Sequence, residues 1–464
     1  MKENIYLYYT NDLHSHFENW PSIIGHWKEQ QLHHQRRDET MLLLDVGDHV
    51  DRFHPISEAM MGKANVELLN EAGYDLVTIG NNEGITLSYQ DLYHLYDEAT
   101  FDVIVGNLHS EEQEPAWLKS YTIKETKAGT RIGVIGLTAP FQAFYRQLGW
   151  DVSSPYEQLE KLVPIVEEKA DIVVLLSHLG INDDEEIARR FPQIEVIIGG
   201  HTHHLFKQGE WVNDTLLTAA GKHGHYVGQV HLQYDAEDKR LTSKAASAYS
   251  IATFMKDEET EATLQQYSNK AFSYLDQSIA HVKEPLSVNW FQETLLIREL
   301  VETVRMWTGA PVAMLNAGVL LDSLEQGHVT RGDVHRICPH PINPCTVKLT
   351  GDELTEVVRE SLTKRFTELK LKGFGFRGEV IGKMIYSGLD VFTRKDAEGH
   401  EHLERIELDG EPIDRHRTYT IATADMFTFG RLLPEIAQSR EKEYYMPEFL
   451  RDLLTETLQR VERI

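Results

Sequence analysis

The first half of the chain repeats one pattern: a short run of Ile, Val and Leu, then an abrupt change to polar residues. The runs are Ile5–Tyr9, Met41–Val46, Leu76–Gly80, Val103–Val105, Ile132–Leu137, Ile172–Leu176 and Val196–Ile198. Runs this short and rich in β-branched residues predict buried strands. Helical stretches such as Ala59–Ala72 and Tyr156–Lys169 lie between several of them. Strands alternating with helices predict an α/β layered domain. The pattern changes near Tyr234. Asp235–Arg240 reads as a polar turn, and Thr253–Val282 as one acidic amphipathic helix with Leu264, Tyr267, Phe272 and Leu275 among its apolar positions. A second domain follows from about Pro285. It opens with a helix, Glu293–Trp307, continues through a proline-dense loop, Pro339–Pro344, and carries later strands at Thr346–Leu349, Arg405–Leu408 and Tyr419–Ala422. The expected division is a first domain at 1–252, a linker helix at 253–284 and a second domain at 285–464.

Charge changes the picture by exclusion. Lys and Arg number 46 against 73 Asp and Glu, a formal charge of −27 over 464 residues. A general nucleic-acid binder neutralises phosphates with Lys and Arg, so this balance argues against one. It argues equally against docking on an anionic membrane surface. No apolar run approaches the roughly 18 residues of a membrane span. Met1–Thr10 lacks the charged and apolar regions of a secretory leader. Cys338 and Cys345 read as two reduced thiols. A cytoplasmic location is expected. Oligomeric state is not legible. The unusual count is 23 histidines.

Several of them fall where chemistry is expected. The polar segments after the strands read Thr10-Asn11-Asp12-Leu13-His14-Ser15-His16, Gly47-Asp48-His49, Gly80-Asn81-Asn82-Glu83, Ser177-His178 and Gly199-Gly200-His201-Thr202-His203-His204. Ligands of open α/β sheets bind beyond the carboxyl ends of the strands. Asp12 and His14 are two apart, as are His201 and His203, and side chains at i and i+2 of an extended segment point the same way. Asp48, Asn81 and His178 each sit just past a strand. Two carboxylates, four imidazoles and an amide oxygen suit borderline divalent ions such as Zn2+ or Mn2+, and argue against Ca2+ or a thiolate site. Seven ligands exceed one tetrahedral ion and fit two ions sharing a carboxylate, an arrangement suited to phosphoryl displacement.

The ordered set D-x-H, G-D, G-N, S-H and G-G-H-x-H closely resembles the metallophosphoesterase (calcineurin-like) superfamily. Thr10–His16 and the two-domain length resemble its 5′-nucleotidase / 2′,3′-cyclic-nucleotide phosphodiesterase family. The resemblance implies a four-layer α/β/β/α catalytic domain and a C-terminal α/β 5′-nucleotidase-type domain that sets substrate specificity. It implies one ion on Asp12, His14, Asp48 and His203, a second on Asp48, Asn81, His178 and His201, and Asp48 as the bridge. Two divalent ions would let an anionic protein bind phosphate.

The sequence also departs from that family. Its usual G-N-H-E-F-D reads here Gly80-Asn81-Asn82-Glu83-Gly84-Ile85, so Asn82 and Ile85 replace a His–Asp dyad that assists the leaving group. An amide donates a hydrogen bond but is no acid near pH 7. Asn81 and Asn82 are expected to hold phosphoryl oxygens. The N-x-G-G-I-R segment reads Asn316-Ala317-Gly318-Val319-Leu320-Leu321, with Leu for the phosphate-contacting Arg. The candidate substrate contacts are Phe427 and Phe429 for a base and Arg377 and Arg431 for phosphate. The expected substrate is a small nucleotide-like phosphate. The alternatives are a cyclic phosphodiester, a nucleotide pyrophosphate, or tight nucleotide binding with weak turnover.

Overall fold

The computed structural model describes residues 2–398, 400–430 and 432–462. It forms two units, Met1–Ala271 and Phe272–Ile464.

The first unit is built on two sheets. Lys2–Thr10 runs parallel to Thr40–Asp45, which is followed by Leu76–Val77, Asp102–Ile104 and Leu118–Lys119. On its other side lie the long antiparallel strands Tyr226–Asp235 and Arg240–Ser250. The second sheet runs Glu210–Val212, Thr215–Thr218, Val196–Gly199, Ile172–His178, Arg131–Thr138, Tyr121–Glu125. Apolar side chains of both sheets, among them Ile5, Leu7, Leu44, Val134, Val174 and Ile198, form one buried core. Odd positions such as Leu175 and Ile197 face the other way, onto helices Pro155–Lys169 and Ile181–Arg190. Trp20–Arg37 buries Trp20, Ile23, Ile24 and Trp27. The expected four-layer α/β/β/α arrangement is therefore present. Parallel register aligns the strand ends: Thr10 pairs with Asp45, and Asp45 with Val77.

The helix expected over Thr253–Val282 is shorter. It spans Glu258–Leu275, and Ser278–Val282 is a strand paired with Gly327–Thr330. Ala280 and Val282 alternate inward there, a period of two that the helical periodicity upstream overshadowed.

The second unit centres on a sheet ordered Met384–Ser387, Val312–Asn316, Thr418–Ala424, Pro344–Thr350, Lys442–Tyr444. Helices Leu295–Thr308 and Gly351–Ser361 pack buried faces on its core. Cys338 and Cys345 are free, buried thiols.

Candidate metal centre

The loops after the aligned strands bring their polar side chains to one place. His14 Nε2 lies 3.6 Å from Asp48 Oδ2, 3.9 Å from Asp12 Oδ1 and 3.3 Å from His203 Nε2. His178 Nε2 lies 3.4 Å from Asp48 Oδ1 and 4.0 Å from Asp12 Oδ1. His203 Nε2 is 3.5 Å from Asp12 Oδ1. Asp12 with His14 and His203, and Asp12 with Asp48 and His178, each present ligand atoms within 4.8 Å of one another. The His201 ring sits 5.4 Å from that of His178, and its backbone N–H donates to the Asp12 carboxylate.

This convergence does not come from strand alternation. Asp12 and His14 lie beyond the strand that ends at Thr10, and His201 and His203 beyond Gly199. Asp12, His14, Asp48, His201 and His203 all have left-handed backbones, with φ of 50°, 49°, 51°, 70° and 58°. Such conformations cost on the order of 1–3 kcal/mol each and persist where the surroundings over-determine them. Here the loops clamp each other. Asp12 N–H donates to the Gly47 carbonyl at 3.0 Å, His14 N–H to Asp48 at 2.8 Å, and Ser15 N–H to His49 at 2.9 Å.

Two partners that the sequence reading left without a role organise the ligands. Glu83 is buried and accepts backbone N–H bonds from Asp48 (3.0 Å), Val50 (2.7 Å) and Gly80 (2.8 Å). Burial and the nearby Asp48 push its pKa up to about 6. Asp51 Oδ2 lies 3.2 Å from His14 Nδ1. His178 Nδ1 donates to the Val46 carbonyl at 2.7 Å, which orients the ring so that Nε2 faces the carboxylates. Asn82 N–H donates to Asp48 Oδ1 at 2.8 Å, and its amide nitrogen lies 2.9 Å from His14 Nδ1. The side chain expected to hold phosphoryl oxygens thus packs behind a ligand.

The donor set fits divalent cations. Asn81 Oδ1 is buried without a hydrogen-bond partner, an expensive arrangement unless an electrophile takes its lone pair, and His178 Nε2 has only the carboxylates in front of it. Burial draws the His178 imidazole towards neutrality, but Asp48 and Asp12 outweigh it and push its pKa up to about 10. A cation entering there displaces that proton. Its affinity should therefore rise with pH until about 10. Titration of chelator-stripped protein with zinc, in two buffers of different ionisation enthalpy, should show proton release. A pH-independent affinity between about 6 and 9 would sink this assignment.

Gly80 admits no side chain: a Cβ would stand 2.1 Å from Asp48 Oδ1 and 2.6 Å from His178 Cε1. Gly80→Ala should destabilise the fold by about 1–3 kcal/mol through overpacking, seen as a lower melting temperature, and should lower metal stoichiometry with it. Full metal loading with an unchanged melt would contradict it.

Other histidines separate clearly. His49 is buried against Trp20, and burial alone pushes its pKa down to about 3. His204 is exposed, stacked on Phe206. His223 stacks on His16 at 3.8 Å and meets the His14 ring edge-on at 5.8 Å.

Of the substrate candidates in the second unit, Phe427 is a core residue packed near Phe366, not a base platform. It lies in a 3-10 turn, Asp425–Thr428, whose winding takes it inward. Phe429 is partly exposed and stacks parallel to the exposed Phe374 at 6.0 Å, a partner the sequence reading missed. Arg377 is half-buried, and its backbone N–H donates to His340 Nδ1. Arg431 lies outside the described residues.

Comparison with known proteins agrees with this architecture. The family model described as calcineurin-like phosphoesterase matches residues 6–205, and that of the 5′-nucleotidase C-terminal domain matches 278–431. The chain is 46% identical to the uncharacterized metallophosphoesterase YunD of Bacillus subtilis (strain 168), over 98% of this chain and 99% of that protein. It is 23% identical to the protein UshA of Yersinia enterocolitica, over 92% and 86% of the two chains. A putative 5′-nucleotidase from Staphylococcus aureus shares its fold with a TM-score of 0.69 at 20% identity, over 98% and 96%. The chain belongs to the calcineurin-like metallophosphoesterases that carry a 5′-nucleotidase C-terminal domain, and is a metal-dependent phosphoester hydrolase.

Proposed function

We propose that this metallophosphoesterase holds two divalent ions, Mn2+ or Zn2+, and hydrolyses small nucleotide-like phosphates. One observation carries the two-ion reading. The two Asp48 oxygens serve opposite sides of the cluster, Oδ2 towards His14 at 3.6 Å and Oδ1 towards His178 at 3.4 Å. Asp12 approaches His14, His203 and His178 through a single oxygen. In this reading Asp12, His14, Asp48 and His203 hold one ion, and Asp48, Asn81, His178 and His201 the other. Such ions supply an activated nucleophile and neutralise charge on a phosphoryl group. The protein's own residues then orient and exclude. Glu83 fixes the loop that presents Asp48; Asp51 accepts from His14 Nδ1, with Asn82 packed beside it; and the Val46 carbonyl orients His178. Phe429, with Phe374, offers a flat apolar face for a base, and Arg377 a charge for phosphate.

A second reading has an observation of its own. Asn82 is no acid and is turned to His14, and Ile85 stands one helical turn away on the short helix Asn81–Thr86. Substrates that need no protonated leaving group, cyclic phosphodiesters and pyrophosphates, gain relative to monoesters. The test is a screen of phosphomonoesters, cyclic phosphodiesters and nucleotide sugars after reconstitution with Mn2+ or Zn2+. Two metals per chain and chelator-sensitive release of phosphate are expected. Tight nucleotide binding without turnover under any metal would leave a binding protein.

A further inference from the structure

A cluster of positive charge lies in the second unit. The hairpin Asp390–Lys395/Glu401–Leu408 and the segment around the end of helix Gly351–Ser361 line a cavity of about 660 Å3. Arg359, Lys364, Lys383 and Arg394 line it, with Glu401 the single acidic side chain and Phe291 an aromatic one. Four cations to one carboxylate is a local reversal in a chain of net charge −27.

The charges differ in how they are balanced. Arg359 is paired with Glu356, and Glu401 lies 3.6 Å from Lys395. His400 and His402, also in the wall, share Asp396 at 3.3 and 2.8 Å. Lys364, Lys383 and Arg394 have no carboxylate within ion-pair distance among the described residues. Lys383 is half-buried while Lys364 and Arg394 are exposed, and three like charges around one concavity add to a positive field at its mouth. Phe291 is 52% exposed, a large apolar ring left facing water.

We propose that this cavity is a second ligand site, which binds a nucleoside di- or triphosphate. Lys364, Lys383 and Arg394 meet the phosphates, with Arg394 able to engage two oxygens at once. Phe291 takes the face of the base. A phosphate alone would leave most of the cavity unfilled, while its volume falls in the range of sites that enclose small organic ligands. The site shares no residue with Arg377, Phe374 or Phe429, and it needs none of the metal ligands.

Equilibrium dialysis of the full-length, metal-loaded protein with α,β-methylene-ADP tests this, since that probe resists hydrolysis. The double variant Lys364→Glu with Arg394→Glu should bind one molecule fewer per chain than the natural protein. Affinity at the lost site should fall at least about tenfold, the size expected for removing hydrogen bonds between charged groups. Lys383→Gln should weaken the same site. Phe291→Ala should weaken α,β-methylene-ADP and leave inorganic pyrophosphate unaffected. Identical stoichiometry and affinity in the charge-reversed and natural proteins would overturn the proposal. Pyrophosphate binding that falls as far as nucleotide binding in Phe291→Ala would overturn the placement of the base. A protein that binds no nucleotide at its metal centre still passes or fails, because only the difference between variants is read.

Discussion

Asp48→Ala is expected to be the most damaging single substitution, lowering phosphoester turnover by more than about 10³-fold, because charge stabilisation by bound ions is worth several kcal/mol. The size follows from position. Asp48 faces His14 with one oxygen and His178 with the other, so alanine removes a donor from both halves of the cluster. It also removes the acceptor of the Asn82 N–H, and it leaves His14 and His178 with Asp12 as their remaining close carboxylate within the cluster. Metal analysis should show occupancy falling from two towards one or none. His203→Ala, on one side of the cluster, should lose less. Full two-metal stoichiometry in Asp48→Ala would show that Asp48 is not the bridge.

A steep dependence of rate on leaving-group pKa is expected in the natural protein. General acid catalysis is typically worth about 10²–10⁴-fold, and Asn82 and Ile85 stand where the family resemblance implies a His–Asp dyad that assists the leaving group. Aryl phosphates, cyclic diesters and phosphoanhydrides should be favoured over nucleoside 5′-monophosphates by a factor in that range. Asn82→His with Ile85→Asp should flatten the dependence. Positions 82 and 85 are three apart on one helical turn, so the new pair can meet. The structure removes one rescue and adds another. His49 is buried beside Trp20 and cannot reach a leaving group, while His16 and His223 stack within reach of the His14 ring. A shallow dependence in the natural protein would refute the prediction. So would robust monophosphate turnover abolished by His16→Asn, His204→Asn or His223→Asn, which would place the acid elsewhere.

The sequence by itself determined the layered α/β architecture and the residues gathered at its edge. Runs such as Met41–Val46 and Ile172–Leu176 are too apolar and too short to be anything but buried strands. Parallel strands in register deliver whatever follows them to one rim, so Asp12, Asp48 and His178 converge without any long-range information being read. The order of those residues carried the family as well. Tertiary structure decided what local pattern does not encode. The left-handed backbones at Asp12, His14, Asp48, His201 and His203 are held by bonds between loops far apart in the chain, whereas the sequence argument assumed strand alternation. Glu83 looks like an ordinary polar residue until three backbone N–H groups from two separate loops are seen to close on it. Asn82 carries the same residue type whether it faces substrate or His14. Phe427 and Phe429 are both aromatic and two apart, yet a 3-10 turn sends the first into the core and leaves the second beside Phe374. Hydrophobic periodicity records which side of its own element a residue occupies. The partner it meets across loops is set only when the layers close.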